Sequence, residues 1–297
     1  MMKNLKVIGC ANGSGGPFMG ADKGVEIMQK SDFMKYLKIN YEWVDVIEEK
    51  ATGLQVDALP GVIDTSLRLA KRTFEEIKKG HDLLVIGGDH SSAIGTWSGV
   101  SYAIKNDGKI GLIWVDAHLD AHQPSTSPSG NIHGMPVAHL LGFGQKALYN
   151  LFDYFPKLDP KYIVFIGVRS FEEAERVFLD SLMVKIYEQS ECDERGIDVI
   201  LKEAIKLVSD GTVGFGLSID MDAFRESDCP GVSTPAEGGI VAQEFIAAIK
   251  KADLTKLIAT EMVEFMPKKD KERKTEKVLV ELVDAIYGNK FGMENEN

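Results

Sequence analysis

Four short segments concentrate acids and imidazoles: Gly87-Gly88-Asp89-His90-Ser91, Asp116-Ala117-His118-Leu119-Asp120, Asp220-Met221-Asp222 and Glu264-Phe265-Met266-Pro267. In extended backbone alternate side chains share a face, so Asp116, His118 and Asp120 point one way, and so do Asp220 and Asp222. Brought together, these segments would crowd four carboxylates beside His118, with His90 arriving from a neighbouring strand end. Two like charges about 4 Å apart repel by roughly 4 kcal/mol at an effective dielectric near 20. No Lys or Arg lies within the segments, and Arg225 is the first to follow the third. The natural neutraliser is metal. Two divalent ions supply +4 against the charges of Asp116, Asp120, Asp220 and Asp222. Oxygen-rich ligands with some imidazole favour Mn²⁺, and no cysteine is present in the segments to favour Zn²⁺. A metal pair can share a water and lower its pKa towards neutrality, giving a hydroxide nucleophile. Asp89 is read as a brace for its loop and not as a ligand.

The elements that must position these residues follow from hydrophobic patterning. Strands are expected at Leu5–Cys10, Tyr41–Val46, Asp82–Ile86, Ile110–Val115, Tyr162–Ile166, Val184–Tyr187, Val213–Ile219 and Leu257–Met262. Several are unbroken apolar runs, as parallel strands buried on both faces require. Helices are expected at Pro60–Lys79, Ser91–Lys105, Pro136–Leu141, Glu172–Leu182, Glu194–Val208, Val241–Lys251 and Thr275–Tyr287. Such alternation predicts a doubly wound α/β fold with a mostly parallel sheet and helices on both faces. Without a linker, repeat or low-complexity tract, residues 1–297 are read as one domain. In such folds the site lies beyond the carboxyl ends of the strands, where all four segments fall. The glycine-rich Gly13-Ser14-Gly15-Gly16 lacks the signature of a phosphate loop and is expected to be a flexible loop at the site mouth. Trp97 is expected to serve packing. The charge-dense run Lys268–Lys277 is read as a solvated loop and helix start.

Composition narrows the remaining classes. The 34 Lys+Arg against 45 Asp+Glu give a net charge of −11, which argues against a nucleic-acid partner. No apolar run reaches the roughly 18 residues of a membrane helix. Residues 1–7 lack the apolar stretch of a signal peptide. Three cysteines, Cys10, Cys192 and Cys229, are too few for a disulfide framework, and a reducing, cytoplasmic setting is expected.

The strings GGDHS, DAHLDAH, SGNIHGMP, SIDMDAF and EFMP occur in this order over nearly the whole chain. Together they resemble the ureohydrolase family of arginases, agmatinases and formimidoylglutamases. The resemblance implies a three-layer α/β fold with an eight-stranded parallel sheet, two Mn²⁺ per subunit, and trimers or hexamers. It implies that His90, Asp116, Asp120 and Asp220 hold one ion, and that Asp116, His118, Asp220 and Asp222 hold the other. His133, in Gly130-Asn131-Ile132-His133-Gly134, matches the family's proton-shuttle histidine, and Glu264 matches the acid that binds guanidinium. Physical reasoning agrees with these roles. Four acids, two dications and one hydroxide sum to −1, which favours a cationic substrate. A carboxylate such as Glu264 accepts paired N–H bonds from a planar guanidinium. Asp120 can relay the hydroxide proton, and His133 can protonate the leaving amine.

Substrate choice rests on two further segments. His122–Ser129, followed by Gly130-Asn131, resembles the arginase loop that holds the α-carboxylate, with Ser127, Ser129 and Asn131 at its polar positions. His122 stands where arginases commonly carry Asn, and a protonated imidazole there could contact the carboxylate. Glu172 falls at the acidic position that faces the α-ammonium, with Glu175 as a supporting acid; a helix amino terminus would equally favour negative charge there. Agmatine has no carboxylate, so the Ser/Asn loop points to L-arginine, cleaved to L-ornithine and urea. Agmatine, guanidinobutyrate and formimidoylglutamate remain alternatives; Pro230–Pro235 looks somewhat like formimidoylglutamases. A metallophosphatase would show an intact GNH and a later G-H-x-H, which this chain lacks.

Overall fold

The eight expected strands meet in one sheet, in a computed structural model that describes residues 4–292. The strands are β1 (Leu5–Ala11), β2 (Tyr41–Glu48), β3 (Leu83–Gly87), β4 (Ile110–Val115), β5 (Ile163–Val168), β6 (Lys185–Glu188), β7 (Gly214–Asp220) and β8 (Leu257–Val263). Their order is β2-β1-β3-β8-β7-β4-β5-β6, and every pairing is parallel. Expected and observed strand ends differ by at most two residues.

The helices are α1 (Asp22–Lys30), α2 (Asp32–Lys35), α3 (Leu59–Lys78), α4 (Ser92–Ile104), α5 (Pro136–Leu140), α6 (Lys146–Tyr149), α7 (Glu173–Ser181), α8 (Gln189–Arg195), α9 (Ile197–Ser209), α10 (Ala242–Ile249) and α11 (Lys274–Phe291). Strand periodicity divides them between the two faces. On β4, Ile113 and Val115 join a core built with α1, α9, α10 and α11. Leu112 and Trp114 of the same strand join the opposite core, built with α3, α4, α5 and α7. The result is three layers around an all-parallel sheet. Among the described residues, no helix is long and apolar enough to cross a membrane. The three cysteines are free and buried.

Two helix expectations are corrected. The single helix expected at Glu194–Val208 is divided at Gly196, whose φ of 84° ends α8 before α9 begins. The apolar period runs through this break, and only a positive-φ glycine reveals it. Helix α1 was not expected, because Gly24 lies inside a short polar stretch. A Cβ there would come within 2.8 Å of the Phe265 carbonyl oxygen, so Gly24 lets α1 approach the loop after β8. The Gly13–Gly16 loop is also not free. Glu49 accepts hydrogen bonds from the Gly13 and Ser14 amides, Asp89 accepts one from Gly15, and the Gly15 carbonyl accepts one from the His133 amide.

The turn after β3 is clamped by Asn12. Its Oδ1 accepts from the Gly88 amide at 3.0 Å, and its Nδ2 donates to Asp89 Oδ1 at 2.8 Å. A Cβ on Gly88 would meet the Asn12 carbonyl oxygen at 1.7 Å, backbone against backbone, with no side chain free to yield. Gly88→Ala is therefore expected to lower the unfolding free energy by about 1–3 kcal/mol or more, measured by urea denaturation. A midpoint within error of the original chain's would contradict this close-packed turn.

Candidate active site

The four central strands, β3, β8, β7 and β4, lie side by side, and each ends in one of the four acidic or imidazole segments. His90 follows β3, Glu264 follows β8, Asp220 ends β7, and Asp116 follows β4. Two residues of these four segments have positive φ without being glycine: Asp120 at 46° and Glu264 at 65°. Such backbone costs of order 1–3 kcal/mol and is held only where surrounding contacts over-determine it, often at functional sites.

His90 Nδ1 lies 3.1 Å from Asp116 Oδ2, 3.1 Å from Asp120 Oδ2 and 3.2 Å from Asp220 Oδ2. It is buried, yet makes no hydrogen bond. Around His118, Nδ1 lies 3.2 Å from Asp222 Oδ2 and 3.5 Å from Asp116 Oδ1. His90, Asp116 and Asp220 form one trio whose ligand atoms fall within 4.8 Å of one another; Asp116, His118 and Asp222 form a second. Asp116 belongs to both. Donor atoms that converge on a common point without bonding to one another are arranged as metal ligands are.

A chain of hydrogen bonds supports this arrangement. Glu261 on β8 is fully buried and accepts from Ser92 Oγ, Thr96 Oγ1, Trp97 Nε1 and Ser218 Oγ, at 2.6–3.1 Å. Ser218 has one hydroxyl proton and gives it to Glu261. Its oxygen, 3.1 Å from His90 Nε2, must then accept from the imidazole. His90 thus carries hydrogen on Nε2, and the Nδ1 lone pair faces the carboxylates. The His90 ring also stacks on Trp114 at 4.1 Å. Trp114 Nε1 donates to Asp116 Oδ2 at 2.8 Å, and Thr234 Oγ1 donates to Asp222 Oδ2 at 3.1 Å. The residues present therefore fit a pair of hard or borderline dications.

Electrostatics point the same way. Burial, then the charge of Asp116, pushes the Asp120 carboxyl up to about 6. Burial with Asp222 and Asp116 raises Asp220 well above the ordinary range. For Asp116 burial is outweighed by His118 and His90, which hold it below the usual carboxylate range. Burial opposes the cationic form of His90, but its three carboxylates overcome it and raise its pKa well above normal. Arg169 directs its guanidinium to the backbone oxygens of Asp222, Ala223 and Glu237 and so ties down the loop after β7.

Above this centre, His133 Nδ1 lies 2.9 Å from Glu264 Oε1, which also accepts from the His90 amide at 2.9 Å. Glu264 Oε2 accepts from the Ser233 hydroxyl. Burial would lower the His133 pKa, but the Glu264 carboxylate raises it to about 9. Glu264 is lowered from its ordinary value because His133 outweighs burial. Asp89 braces its loop, accepting from Asn12, Gly15 and Ser91.

The outer residues are arranged differently from expectation. Ser127 Oγ accepts from Gly130, Ser129 Oγ from Asn131, and Asn131 Oδ1 from Gln55 Nε2, so these three shape a loop on the surface. His122, expected to face a carboxylate, is turned towards acids: Nε2 lies 3.0 Å from Glu172 Oε2 and 3.3 Å from Glu175 Oε2. Glu172 and Glu175 also form the capping box of α7. Burial, eased by the Ala121 and Glu172 amides, pushes Glu175 up to about 8.

Glu261, Ser218, Trp114 and Trp97 were not identified as site residues from sequence. Each lies inside an apolar strand or helix, where the local pattern indicates core. Trp97 packs as expected but also donates to Glu261.

Removing a converging carboxylate should empty the centre, because the remaining donors no longer enclose a cation. Asp220→Ala and Asp120→Ala are expected to lose metal in elemental analysis. Trp114→Phe, which removes the N–H held by Asp116 and shrinks the ring stacked on His90, is expected to weaken metal binding about 10–100-fold while leaving the stoichiometry at saturation unchanged. Undiminished metal content in Asp220→Ala would rule out the trio of His90, Asp116 and Asp220 as a ligand set.

Known proteins resemble this chain in sequence and fold. The Arginase family model matches residues 6–288. An arginase from Bacillus caldovelox is 37% identical over 301 residues, covering 98% of this chain and all of that one. An arginase from Bacillus subtilis is 36% identical, again over 98% of this chain and all of the relative. The crystal structure of a Bacillus subtilis arginase superposes with a TM-score of 0.89 at 35% identity, over 96% of this chain and 99% of that one. A Bacillus subtilis formimidoylglutamase shares the fold, with a TM-score of 0.79 at 19% identity over 97% of this chain and 88% of that one. With its family model spanning the sheet and all four central strand ends, the chain belongs to the arginase family, hydrolases of guanidino compounds.

Proposed function

We propose that the chain hydrolyses L-arginine to L-ornithine and urea with two Mn²⁺ ions. The observation that carries this reading is the pair of donor trios sharing Asp116, set beneath the buried Glu264–His133 pair. His90, Asp116, Asp120 and Asp220 would hold one ion, and Asp116, His118, Asp220 and Asp222 the other. When bound, the ions lower the pKa of a water and supply a nucleophile near neutral pH.

The chain's own groups do the rest. Glu264 accepts N–H bonds from the guanidinium and orients its carbon towards the acids. Asp120 accepts the proton of the attacking water. His133 holds a proton at Nε2 and delivers it to the departing amine. Ser127, Ser129 and Asn131 receive the α-carboxylate, and Glu172 with Glu175 receives the α-ammonium. The relatives named arginase support this choice over agmatine, which has no carboxylate for the Ser/Asn loop.

The deciding measurement is urea release by manganese-loaded protein from L-arginine, agmatine and guanidinobutyrate, with formamide release from formimidoylglutamate. Arginine is expected to be the best substrate, and turnover of another compound without arginine would overturn the assignment. His133→Asn is expected to lower kcat by about 10²–10⁴-fold with metal content near normal. The pH dependence follows from the same residue. Its pKa is raised from 6.5 to about 9, so the proton donor is present at neutral pH and is lost as pH rises through that value. The kcat/KM profile should therefore fall above about pH 9, and the fall should be absent in His133→Asn.

A further inference from the structure

Two residues beyond Asp120, His122 lies buried between two acids that the arginine reading gives to the substrate. Its Nδ1 faces the Thr126 hydroxyl at 3.2 Å, and its Nε2 faces Glu172 and Glu175. A carboxylate oxygen accepts, so the hydrogen sits on Nε2; the single Thr126 hydroxyl proton is shared between Nδ1 and the Gln123 carbonyl, each 3.2 Å away. The contact with the two acids needs only the Nε2 hydrogen.

Glu175 cannot easily retreat: it is buried and accepts from the Ala121 amide at 2.9 Å and from the Glu172 amide at 3.1 Å. Glu172, at the amino terminus of α7, has a largely exposed side chain, so its contact with the imidazole is the one that can open. The imidazole N–H already stands where an ammonium N–H would donate.

We propose that His122 is a specificity-determining residue, which fills the fork between Glu172 and Glu175 and thereby sets how much an α-ammonium group contributes to substrate binding. A substrate carrying that group must displace Nε2–H from Glu172 before its own N–H bonds count. A guanidino acid without it does not. The chain should therefore discriminate weakly between L-arginine and 5-guanidinopentanoate, its counterpart lacking the amino group. This inference rests on the proposed guanidine hydrolysis.

The test uses manganese-loaded full-length chain and the ratio of kcat/KM for the two compounds. His122→Ala and His122→Asn, which cannot reach the fork, are expected to raise the ratio in favour of arginine about tenfold, through KM for arginine. His122→Gln, whose amide nitrogen reaches the place of Nε2, should keep it within about threefold of the original chain. A purely structural role would instead lower both substrates together. An unchanged ratio in His122→Ala, with both compounds hydrolysed, would overturn this proposal alone. Hydrolysis of neither compound by the unmodified chain would remove the guanidine reading and this proposal with it. Should the variants fail to fold, crystals of the unmodified chain decide: L-ornithine should separate Nε2 from Glu172, whereas 5-aminopentanoate should not. Ornithine bound with the imidazole still in the fork would count against it.

Discussion

Mutual repulsion among Asp116, Asp120, Asp220 and Asp222 governs the carboxyl end of this sheet. Asp116 is fully buried, and Asp220 and Asp222 are each only 2% exposed. Charges this close interact far more strongly in a protein interior than in water. Their basic contacts are two histidines, and His90 Nδ1 touches three carboxylates without a hydrogen bond to any. Three carboxylates converge on one imidazole nitrogen, a geometry that a cation among them stabilises. Cation binding and folding at these strand ends are therefore thermodynamically linked.

Strand order turns this local conflict into a site. His90 and Glu264 are far apart in sequence, yet β3 and β8 are neighbours, as are β7 and β4. Parallel strands put all four carboxyl ends on one edge. The support extends inward along the strands. Glu261 lies three residues before Glu264, and its four donors include Ser218 on β7 and three residues of α4. Through Ser218 it selects the hydrogen-bonding form of His90. A buried carboxylate thus reaches the ligand set through a hydroxyl and fixes a lone pair's direction.

Much of this was legible in the sequence, for identifiable reasons. All eight strands were recognisable, several of them because parallel strands buried on both faces leave unbroken apolar runs. The metal-type residues were recognisable because a D-x-H-x-D after a strand has no role in packing. Gly196 was missed because hydrophobic period ignores backbone sign, and α1 because Gly24 lowers helix propensity where tertiary contact requires it. Glu261 was hidden by its surroundings: a single acid between Thr260 and Met262 gives no sign that four donors from elsewhere converge on it. His122 was placed near the substrate loop by its neighbours in sequence. Its contacts come from Glu172 and Glu175 on another loop and helix, which only the assembled fold brings near.

In the proposed reaction, Glu264 would link substrate capture to proton delivery through a count of lone pairs. Its Oε1 already accepts from the His90 amide and from His133 Nδ1, and its Oε2 accepts from Ser233. Two oxygens offer about four acceptor sites, so one remains free. A guanidinium seeking two parallel N–H bonds must therefore share or displace the His133 contact. Displacement frees the imidazolium to turn towards the leaving nitrogen. It also removes the carboxylate influence that raises His133 to about 9, so the proton becomes easier to surrender once substrate is seated. The same acid can thus hold His133 charged in the free protein and release it when the cationic substrate arrives.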